Sequence, residues 1–273
     1  MENSVDHYIQ EWGLVNCEKL ATTFTSDVFI ADSRYGKVVL KILNKVGIED
    51  ELSGIFFLKN GQGRGAVNLF CHDEQALLME YLPGENLYQY SKMGNETEAS
   101  RVFCEIIKKI HSVKEIKDRA KLKDYTSLFE IFGRVQFSDD VSSLVSQGKY
   151  IAEKLVSSQT EEVLLHGDLH RENVASRANG EFVCFDPKGL YGDPAYELGT
   201  TLKNPWDYPQ ISQDLGIFQE RAKYFSKELK LPVERIIGFA FVHLCLSIAW
   251  AIEDNDLYDH QLKLAQQVAG ILK

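Results

Sequence analysis

The chain has 273 residues, of which 44% are hydrophobic, and this is enough for one or two domains with a sizeable core. Its net charge of −10 argues against broad binding to a nucleic-acid backbone, so no nucleic-acid partner is expected. Its five cysteines are scattered and never form a Cys-x-x-Cys pair, which argues against a disulfide framework or a zinc site and favours a reducing, cytoplasmic location.

Up to residue 80 the sequence predicts a small sheet with one helix. Short runs of β-favouring residues, separated by turn residues, predict strands at Glu18–Phe24, Val28–Asp32, Lys37–Leu43, Ala66–Cys71 and Gln75–Glu80. Between the third and fourth of these, apolar residues at helical spacing predict a helix over Ile48–Lys59. Pro83-Gly84 then interrupts the pattern and predicts a hinge at residues 81–84.

Beyond residue 84 the pattern is mainly helical. Apolar periodicity predicts helices at Glu96–Ser112, Tyr125–Phe132, Asp139–Ser157, Asp214–Glu228, Val233–Glu253 and Tyr258–Leu272. Residues 163–186 return to strand-like runs, with a hairpin turn at 177–180. We therefore expect an α+β fold with two lobes. Residues 1–83 would form a nucleotide-binding antiparallel sheet with one helix, and residues 84–273 a larger, mostly helical lobe with the catalytic loop, metal site and substrate pocket.

The most apolar segment runs from Ile236 to Ile252 and could be mistaken for a membrane span. It is shorter than the ~20 residues that a bilayer requires, and it contains His243 near its middle. We interpret it as a buried helix. The first six residues are acidic and contain no apolar core, so no signal peptide is expected. No membrane partner is expected, and the sequence predicts no particular oligomeric state.

One short string carries the chemistry, and it reads His166-Gly167-Asp168-Leu169-His170-Arg171-Glu172-Asn173. An acid, an amide five positions later and a second acid, Asp186, after a short hairpin form the set that phosphoryl transfer needs. Asp168 is predicted to act as the general base that takes the proton of an attacking hydroxyl. Asn173 and Asp186 are predicted to bind Mg²⁺, which prefers hard oxygen ligands. The alternative is that these residues only cap turns, but their mutual spacing favours catalysis.

Lys41 is the one charged residue in the hydrophobic strand Val38–Leu43. Strand alternation places it on the same face as apolar residues, where an ammonium group needs anionic partners. Nucleotide phosphates and a carboxylate of the following helix would supply them. Glu51 is the first choice for that carboxylate and Glu49 the second. The alternative is a solvated lysine on an edge strand.

Two further segments are expected to contact the nucleotide. The purine would bond to main-chain groups of the hinge that begins with Glu80 and includes Leu82. Hydroxyl and amide groups of the first hairpin, with Ser26 among them, would cover the phosphates. The run Gly61–Gly65 resembles a phosphate loop, but it follows a helix and precedes a strand, which is the reverse of the order in dinucleotide-binding loops.

The string His166-x-Asp168-x-His170 leaves open a second chemistry, that of a metal-dependent hydrolase. A catalytic zinc site needs about three protein ligands, and the other histidines of the chain are not clustered. Metal-dependent hydrolysis is therefore kept as the runner-up. A third hypothesis is a non-catalytic kinase-fold protein that only binds its ligand.

Four stretches resemble the aminoglycoside phosphotransferase superfamily, in particular the branch of streptomycin 6-kinases and hydroxyurea-resistance kinases. They are Gly63–Val67, Leu77–Gly84, Leu165–His170 and Asp186–Glu197. Asp186-Pro187-Lys188-Gly189 is typical of this branch, whereas His170-Arg171-Glu172 differs from the tripeptides more usual after the catalytic Asp.

The resemblance implies a protein-kinase-like fold, ATP, Mg²⁺ and phosphorylation of a hydroxyl on a small polar molecule. It also implies the roles given above to Lys41, Asp168, Asn173 and Asp186. A streptomycin-like aminoglycoside is the first candidate for the acceptor. The alternative is a housekeeping kinase that acts by the same mechanism on a metabolite sugar, an amino alcohol or a nucleoside.

The side chains expected on the acceptor side are mostly acidic: His170, Asp193, Glu197, Glu253 and Asp254. The last two begin an acidic run after a predicted core helix, and such a run could attract a cationic acceptor. The alternative is a solvated acidic helix end.

Overall fold

The computed structural model describes residues 4–272, apart from the side chains of residues 50, 51 and 91. Its N-terminal part contains a five-stranded antiparallel sheet in the order β1-β2-β3-β5-β4. These strands are β1 (Val15–Thr22), β2 (Ser26–Ser33), β3 (Gly36–Leu43), β4 (Leu69–His72) and β5 (Ala76–Glu80). In β3, Lys41 pairs with Val28 on one side and with Leu77 on the other, so it lies in the centre of the sheet.

Two helices accompany the sheet, α1 (Val5–Trp12) and α2 (Lys45–Gly61). The sequence analysis did not predict α1, whose Tyr8 is buried and donates a hydrogen bond to Asp73 at 3.0 Å. Helix α2 begins earlier than predicted because the side chain of Asn44 accepts a hydrogen bond from Gly47 N at 3.0 Å and caps the first turn.

The remaining helices follow the sheet along the chain. They are α3 (Tyr88–Lys92), α4 (Glu96–His111), α5 (Ile131–Arg134), α6 (Asp139–Ser157), α7 (Leu198–Lys203), α8 (Pro209–Ser212), α9 (Leu215–Leu229), α10 (Val233–Glu253) and α11 (Asp259–Ala269). The predicted helix at Tyr125–Phe132 is a 3₁₀ turn over Tyr125–Glu130 that continues into α5. Helix α10 has the length and composition of a membrane span, but 72% of its apolar window is buried inside the protein. It is the central helix of this part, as the sequence interpretation held.

The segment between α6 and α7 contains four short strands, one of which also pairs with a strand before α6. Strands β6 (Lys123–Asp124), β7 (Val163–Leu165) and β10 (Leu190–Gly192) form one small sheet, and β8 (Val174–Ser176) pairs with β9 (Phe182–Cys184) in a hairpin. The chain that leaves β5 pairs with this hairpin, since Gly84 N donates to Ser176 O at 3.0 Å and Leu87 N to Val174 O at 2.8 Å. A Cβ at Gly84 would lie 2.2 Å from Ser176 Oγ, so this close approach requires glycine.

The expected architecture, a small antiparallel sheet followed by a mostly helical part, is confirmed. The junction between them is tied by backbone hydrogen bonds rather than by a free linker, because Cys184 N also donates to Gly65 O at 2.8 Å. The β8–β9 hairpin is therefore fixed against the sheet. The division of the chain at residues 83 and 84 into two lobes stays a prediction.

Candidate active site

A cavity of about 360 Å³ lies between the five-stranded sheet and the β8–β9 hairpin. Its walls are largely apolar and include Val28, Val39, Val67, Met79 and Ala175. The charged residues of its lining are Lys41, Glu80 and Asp186. Apolar walls with a few charged groups suit a flat heterocycle that carries an anionic tail.

Lys41 is 6% exposed, and its Nζ forms an ion pair with Oδ1 of Asp186, whose side chain is half-exposed. The buried ammonium of β3 thus has an anionic partner at the other side of the cleft, which excludes the alternative of a solvated edge-strand lysine. The side chain of Glu51, the predicted partner, lies outside the described residues. Glu49, the second choice, is exposed at the surface.

The loop at residues 186–189 is held against α2. Asp186 and Gly189 both adopt left-handed backbone conformations, with φ of 59° and 71°. Ser53 Oγ donates a hydrogen bond to Lys188 O at 2.6 Å, and a Cβ at Gly189 would lie only 2.1 Å from Ser53 O. The glycine of the Asp-Pro-Lys-Gly string is therefore required by a backbone contact between this loop and α2.

His166 connects the two loops that carry the predicted catalytic and metal-binding acids. Its Nε2 donates to Phe185 O at 2.9 Å, and its Nδ1 accepts from Asp168 N at 3.2 Å. The ring is fully buried, and this burial lowers the pKa of His166 to about 4, so the imidazole is neutral at pH 7. Because both ring nitrogens are engaged, His166 is not available as a metal ligand, and the metal-dependent hydrolase loses one of its ligands.

Asp168, Asn173 and Asp186 are brought together through main-chain contacts. Asn173 Nδ2 donates to Asp168 O at 3.0 Å, and Phe185 N donates to Asn173 O at 3.0 Å. Within residues 4–272, no hydrogen bond to Asn173 Oδ1 is formed, so this oxygen can serve a ligand. The Asp168 carboxylate is about one-third exposed and lies 3.8 Å from Nε2 of His170. An acid that can reach a substrate therefore stands beside one amide oxygen and a second carboxylate.

The chain is similar to known kinases over most of its length. Residues 11–255 match the model of the aminoglycoside/hydroxyurea antibiotic resistance kinases. The chain belongs to this kinase family. It is 27% identical to the streptomycin 3''-kinase of Klebsiella pneumoniae over 90% of this chain and 92% of that protein. It is also 27% identical to the streptomycin 6-kinase of Streptomyces griseus, over 76% of this chain and 69% of that protein.

The fold agrees with the family assignment. An aminoglycoside phosphotransferase solved in a ternary complex with ADP and hygromycin B superimposes with a TM-score of 0.68. That match covers 98% of this chain and 97% of the other at 14% identity, so it concerns the fold alone. The predicted protein-kinase-like fold, the superfamily and the enzyme class, a phosphotransferase with an alcohol acceptor, are confirmed.

Two acidic residues predicted on the acceptor side of this kinase have other roles. Glu197 is 2% exposed and accepts hydrogen bonds from His166 N at 2.7 Å and Gly167 N at 3.0 Å. Burial raises the pKa of Glu197 to about 7, and the two N–H donors oppose that shift. Asp193 is 2% exposed and accepts from Ala195 N at 2.9 Å and Arg235 Nε at 2.8 Å. Their prediction as substrate residues is wrong, because both are buried. Glu197 holds the main chain of the predicted catalytic segment, and Asp193 holds the turn that follows β10 and the side chain of Arg235.

Two residues predicted to contact the nucleotide, Ser26 and Glu80, have side-chain partners within the protein. Ser26 is 2% exposed, and its Oγ lies in hydrogen-bond contact with Thr23 Oγ1 at 2.9 Å, whereas Thr23 itself lines the cavity. In the first hairpin, Thr23 rather than Ser26 therefore presents its hydroxyl at the cavity. The carboxylate of Glu80 accepts from Arg177 Nε at 2.7 Å and from Asn68 N at 3.1 Å. Glu80 and Leu82 both line the cavity, and their main-chain contact with a purine stays a prediction.

A second cavity, of about 220 Å³, adjoins the predicted catalytic loop. It is lined by Tyr88, His170, Arg171, Glu172, Asn204, Pro205, Trp206 and Asp207. Tyr88 OH donates to Asp207 Oδ2 at 2.8 Å, so residues far apart in sequence meet here. Among the predicted acceptor residues, only His170 lies in this lining.

The predicted acidic run at the end of α10 lies elsewhere. Glu253 forms an ion pair with Arg134 at 3.5 Å, and Asp254 is exposed at the end of the helix. Neither residue lines either of the two cavities described above. The structure therefore favours the alternative of a solvated acidic helix end for this run. The sequence offered no signal for Tyr88, which begins α3, or for Trp206 and Asp207, which lie in the segment between α7 and α8.

Proposed function

We propose that this kinase transfers the γ-phosphoryl group of ATP to a hydroxyl group of a streptomycin-like aminoglycoside. The family match and the two streptomycin kinases among its relatives support the antibiotic class of acceptor. One structural observation carries the reaction type. The side chain of Asn173 donates a hydrogen bond to the main chain of Asp168. Beside them, Asp186 forms an ion pair with Lys41 in the lining of the apolar cavity.

Each of the two cavities would bind one of the two substrates. The adenine ring would lie among the apolar side chains of the larger cavity, with the phosphates toward Lys41, whose ammonium is already directed at an acid. The acceptor would lie in the smaller cavity, next to His170 and the carboxylate of Asp168. A bound ATP and acceptor then meet at the catalytic loop that separates the two sets of lining residues.

Asp168 would act directly on the acceptor. As the acceptor oxygen forms its bond to the γ-phosphorus, the proton of that hydroxyl passes to the Asp168 carboxylate. The bond between this phosphorus and the bridging oxygen of ATP breaks, and ADP leaves with the electron pair. His166, Asn173 and the buried Glu197 hold the main chain around Asp168, so the carboxylate is oriented before the acceptor binds.

The residues at the phosphate end fit Mg²⁺. The half-exposed carboxylate of Asp186 and Oδ1 of Asn173 are hard oxygen donors, and phosphate oxygens and waters would complete the coordination. When bound, Mg²⁺ would neutralise negative charge on the phosphates and on the leaving group. Lys41 would then exchange part of its contact with Asp186 for contact with the nucleotide.

The smaller cavity suits a cationic acceptor. It combines the rings of Tyr88 and Trp206 with the carboxylates of Glu172 and Asp207. Aromatic faces and carboxylates both attract guanidinium and ammonium groups. This chemistry favours a streptomycin-like molecule over an uncharged metabolite sugar.

A coupled ADP-release screen tests the proposal. The acceptors are streptomycin, other aminoglycosides, hydroxyurea and common polyols, with Asp168→Asn as the matched inactive control. We expect ADP release that depends on streptomycin, and ³¹P–¹H correlation NMR of the product then tells whether the 3''- or the 6-hydroxyl carries the phosphate. A response only to an uncharged polyol or another metabolite would instead assign a housekeeping kinase.

A further inference from the structure

Lys203, at the end of α7, is a buried cation that the transfer mechanism above does not use. It is 8% exposed, its Nζ donates a hydrogen bond to Ser247 Oγ at 2.5 Å, and it lies 5.5 Å from the ring centroid of Trp206. Among the side chains that the structure describes, no carboxylate forms an ion pair with Lys203. A buried ammonium with only a hydroxyl and a ring beside it is costly unless negative charge is close.

The end of α7 lies against the catalytic loop. Thr201 Oγ1 donates to Leu169 O at 2.7 Å, which joins this helix to the residue that follows Asp168. Asn204 and Trp206, immediately beyond Lys203, line the smaller cavity together with His170. Burial lowers the pKa of Lys203 to about 8, and the negative charge of Asp168 opposes that shift. The cation is therefore within electrostatic reach of the proposed base.

We propose that Lys203 is a positioning residue for phosphoryl transfer, which keeps a positive charge near Asp168 on the acceptor side of the catalytic loop. This inference rests on the proposed function of Asp168. As the hydroxyl proton moves to Asp168, the new P–O bond forms and ADP leaves with the electrons of the broken P–O bond. Until then the carboxylate and the anionic phosphoryl group approach the same acceptor oxygen and repel each other. A fixed cation nearby reduces that repulsion, and Lys203 itself transfers no proton.

Several ionisable groups on neighbouring elements surround the end of α7. They are Asp168 and His170 in the catalytic loop, Glu197 before α7, Arg221 in α9 and His243 in α10. Burial lowers the pKa of Arg221 to about 9, so a loss of activity at high pH could come from either cation. Lys203→Arg separates them, because the ordinary pKa of a guanidinium is about two units above that of an ammonium, so the charge at 203 would persist to higher pH while Arg221 is unchanged.

The experiment compares Lys203→Met and Lys203→Arg with the wild type, and Lys227→Met on the exposed side of α9 is the control. ADP release is measured between about pH 6.5 and pH 10. Streptomycin is the acceptor in one series and water alone in the other. We expect Lys203→Met to lower kcat by at least about tenfold with KM for ATP unchanged. Wild-type kcat should fall about tenfold from pH 7 to pH 9, and in Lys203→Arg this fall should disappear or move to higher pH.

An unchanged kcat in Lys203→Met, or the same fall at high pH in Lys203→Arg, would overturn the proposal. If Lys203→Met does not fold, the profiles of the wild type and Lys203→Arg decide by themselves. Hydrolysis of ATP without phosphorylation of streptomycin would contradict the proposed acceptor, and the role of Lys203 is then judged with water as acceptor. Absence of both reactions in the wild type would contradict the proposed function and this inference together.

Discussion

The proposed nucleotide side and the proposed acceptor side of this kinase are built differently. On the nucleotide side, about half of the lining residues stand on strands, with Lys41 among them, and Lys41 and Asp186 are already paired across the cavity. On the acceptor side, no lining residue stands on a strand, and the lining comes from the first residue of α3 and from segments 170–172 and 204–207. We infer that the reaction depends on residues fixed largely by strand pairing, whereas the choice of acceptor depends on the irregular segments around them.

The largest expected effect tests Asp168 as the general base, which would act where the two sides meet. Asp168→Asn should lower kcat by roughly 10²–10⁴-fold, because the acceptor hydroxyl loses the group that takes its proton. The affinity for ATP should be nearly unchanged, since Asp168 does not line the nucleotide cavity. Steady-state kinetics and nucleotide titration by calorimetry measure the two quantities.

The matched control for that variant is Asp186→Asn, which keeps the size of the side chain but removes the acid that pairs with Lys41. It should weaken Mg²⁺-dependent binding of ATP, an effect that Asp168→Asn should not show. Substantial transfer by Asp168→Asn would remove Asp168 from its role as base. Unchanged dependence on Mg²⁺ in Asp186→Asn would remove that residue from the metal site.

The contrast between the two sides also explains what the sequence could predict of the site. Asp168 and Asn173 stand in one short string, and Asp186 follows one hairpin later, so their types and spacing were visible without a structure. Tyr88 and Asp207 meet through a hydrogen bond between residues 119 positions apart, which no local pattern encodes. For the same reason the buried Asp193 and Glu197 could not be told from substrate-binding acids.

The fold follows a similar rule. The bounds of α6 and α10 agree with the predicted ones, because long runs with a clear apolar pattern determine a helix locally. The short α1, α7 and β10 were missed, since their burial and pairing depend on contacts with distant elements. The buried end of α7 is also where Lys203 lies, so its environment could not be read from periodicity.

The next effect, of intermediate size, tests which acids recognise the acceptor. Asp207→Asn should raise KM for streptomycin by roughly tenfold, which corresponds to about 1.4 kcal/mol, because the smaller cavity loses a negative charge. KM for ATP should stay the same. Asp254→Asn, an exposed acid outside both cavities, is the matched control and should change neither constant. A larger effect of Asp254→Asn than of Asp207→Asn would restore the acidic end of α10 as the acceptor site.

The last effect is on stability and is expected to leave the transfer reaction least changed; it concerns the buried polar layer beneath the acceptor side. His243 of α10 is 3% exposed and lies beneath α7, with Nε2 in hydrogen-bond contact with Thr200 Oγ1 at 2.9 Å. Burial lowers the pKa of His243 well below its usual value, so it is neutral in the folded protein. The unfolded chain takes up a proton below about pH 6.5, and each such group lowers the free energy of unfolding by up to about 1.4 kcal/mol per pH unit.

His243→Gln should therefore reduce the loss of stability on acidification, by about 2 kcal/mol between pH 6.5 and pH 5, whatever its effect at pH 7.5. Urea unfolding at the three pH values measures this difference, and His72→Gln at the surface is the control. His166, whose pKa is also lowered, destabilises the folded protein on acidification in the same way, and it remains in the variant. Glu197 has a raised pKa and acts in the opposite direction, because the stabilisation that it provides is lost as the pH rises toward 7. An equal acid dependence in wild type and His243→Gln would mean that His243 takes up its proton over the same pH range in the folded core as in the unfolded chain. Below about pH 6.5 the polar layer beneath α7 would then be charged, and a further buried cation would lie near Lys203.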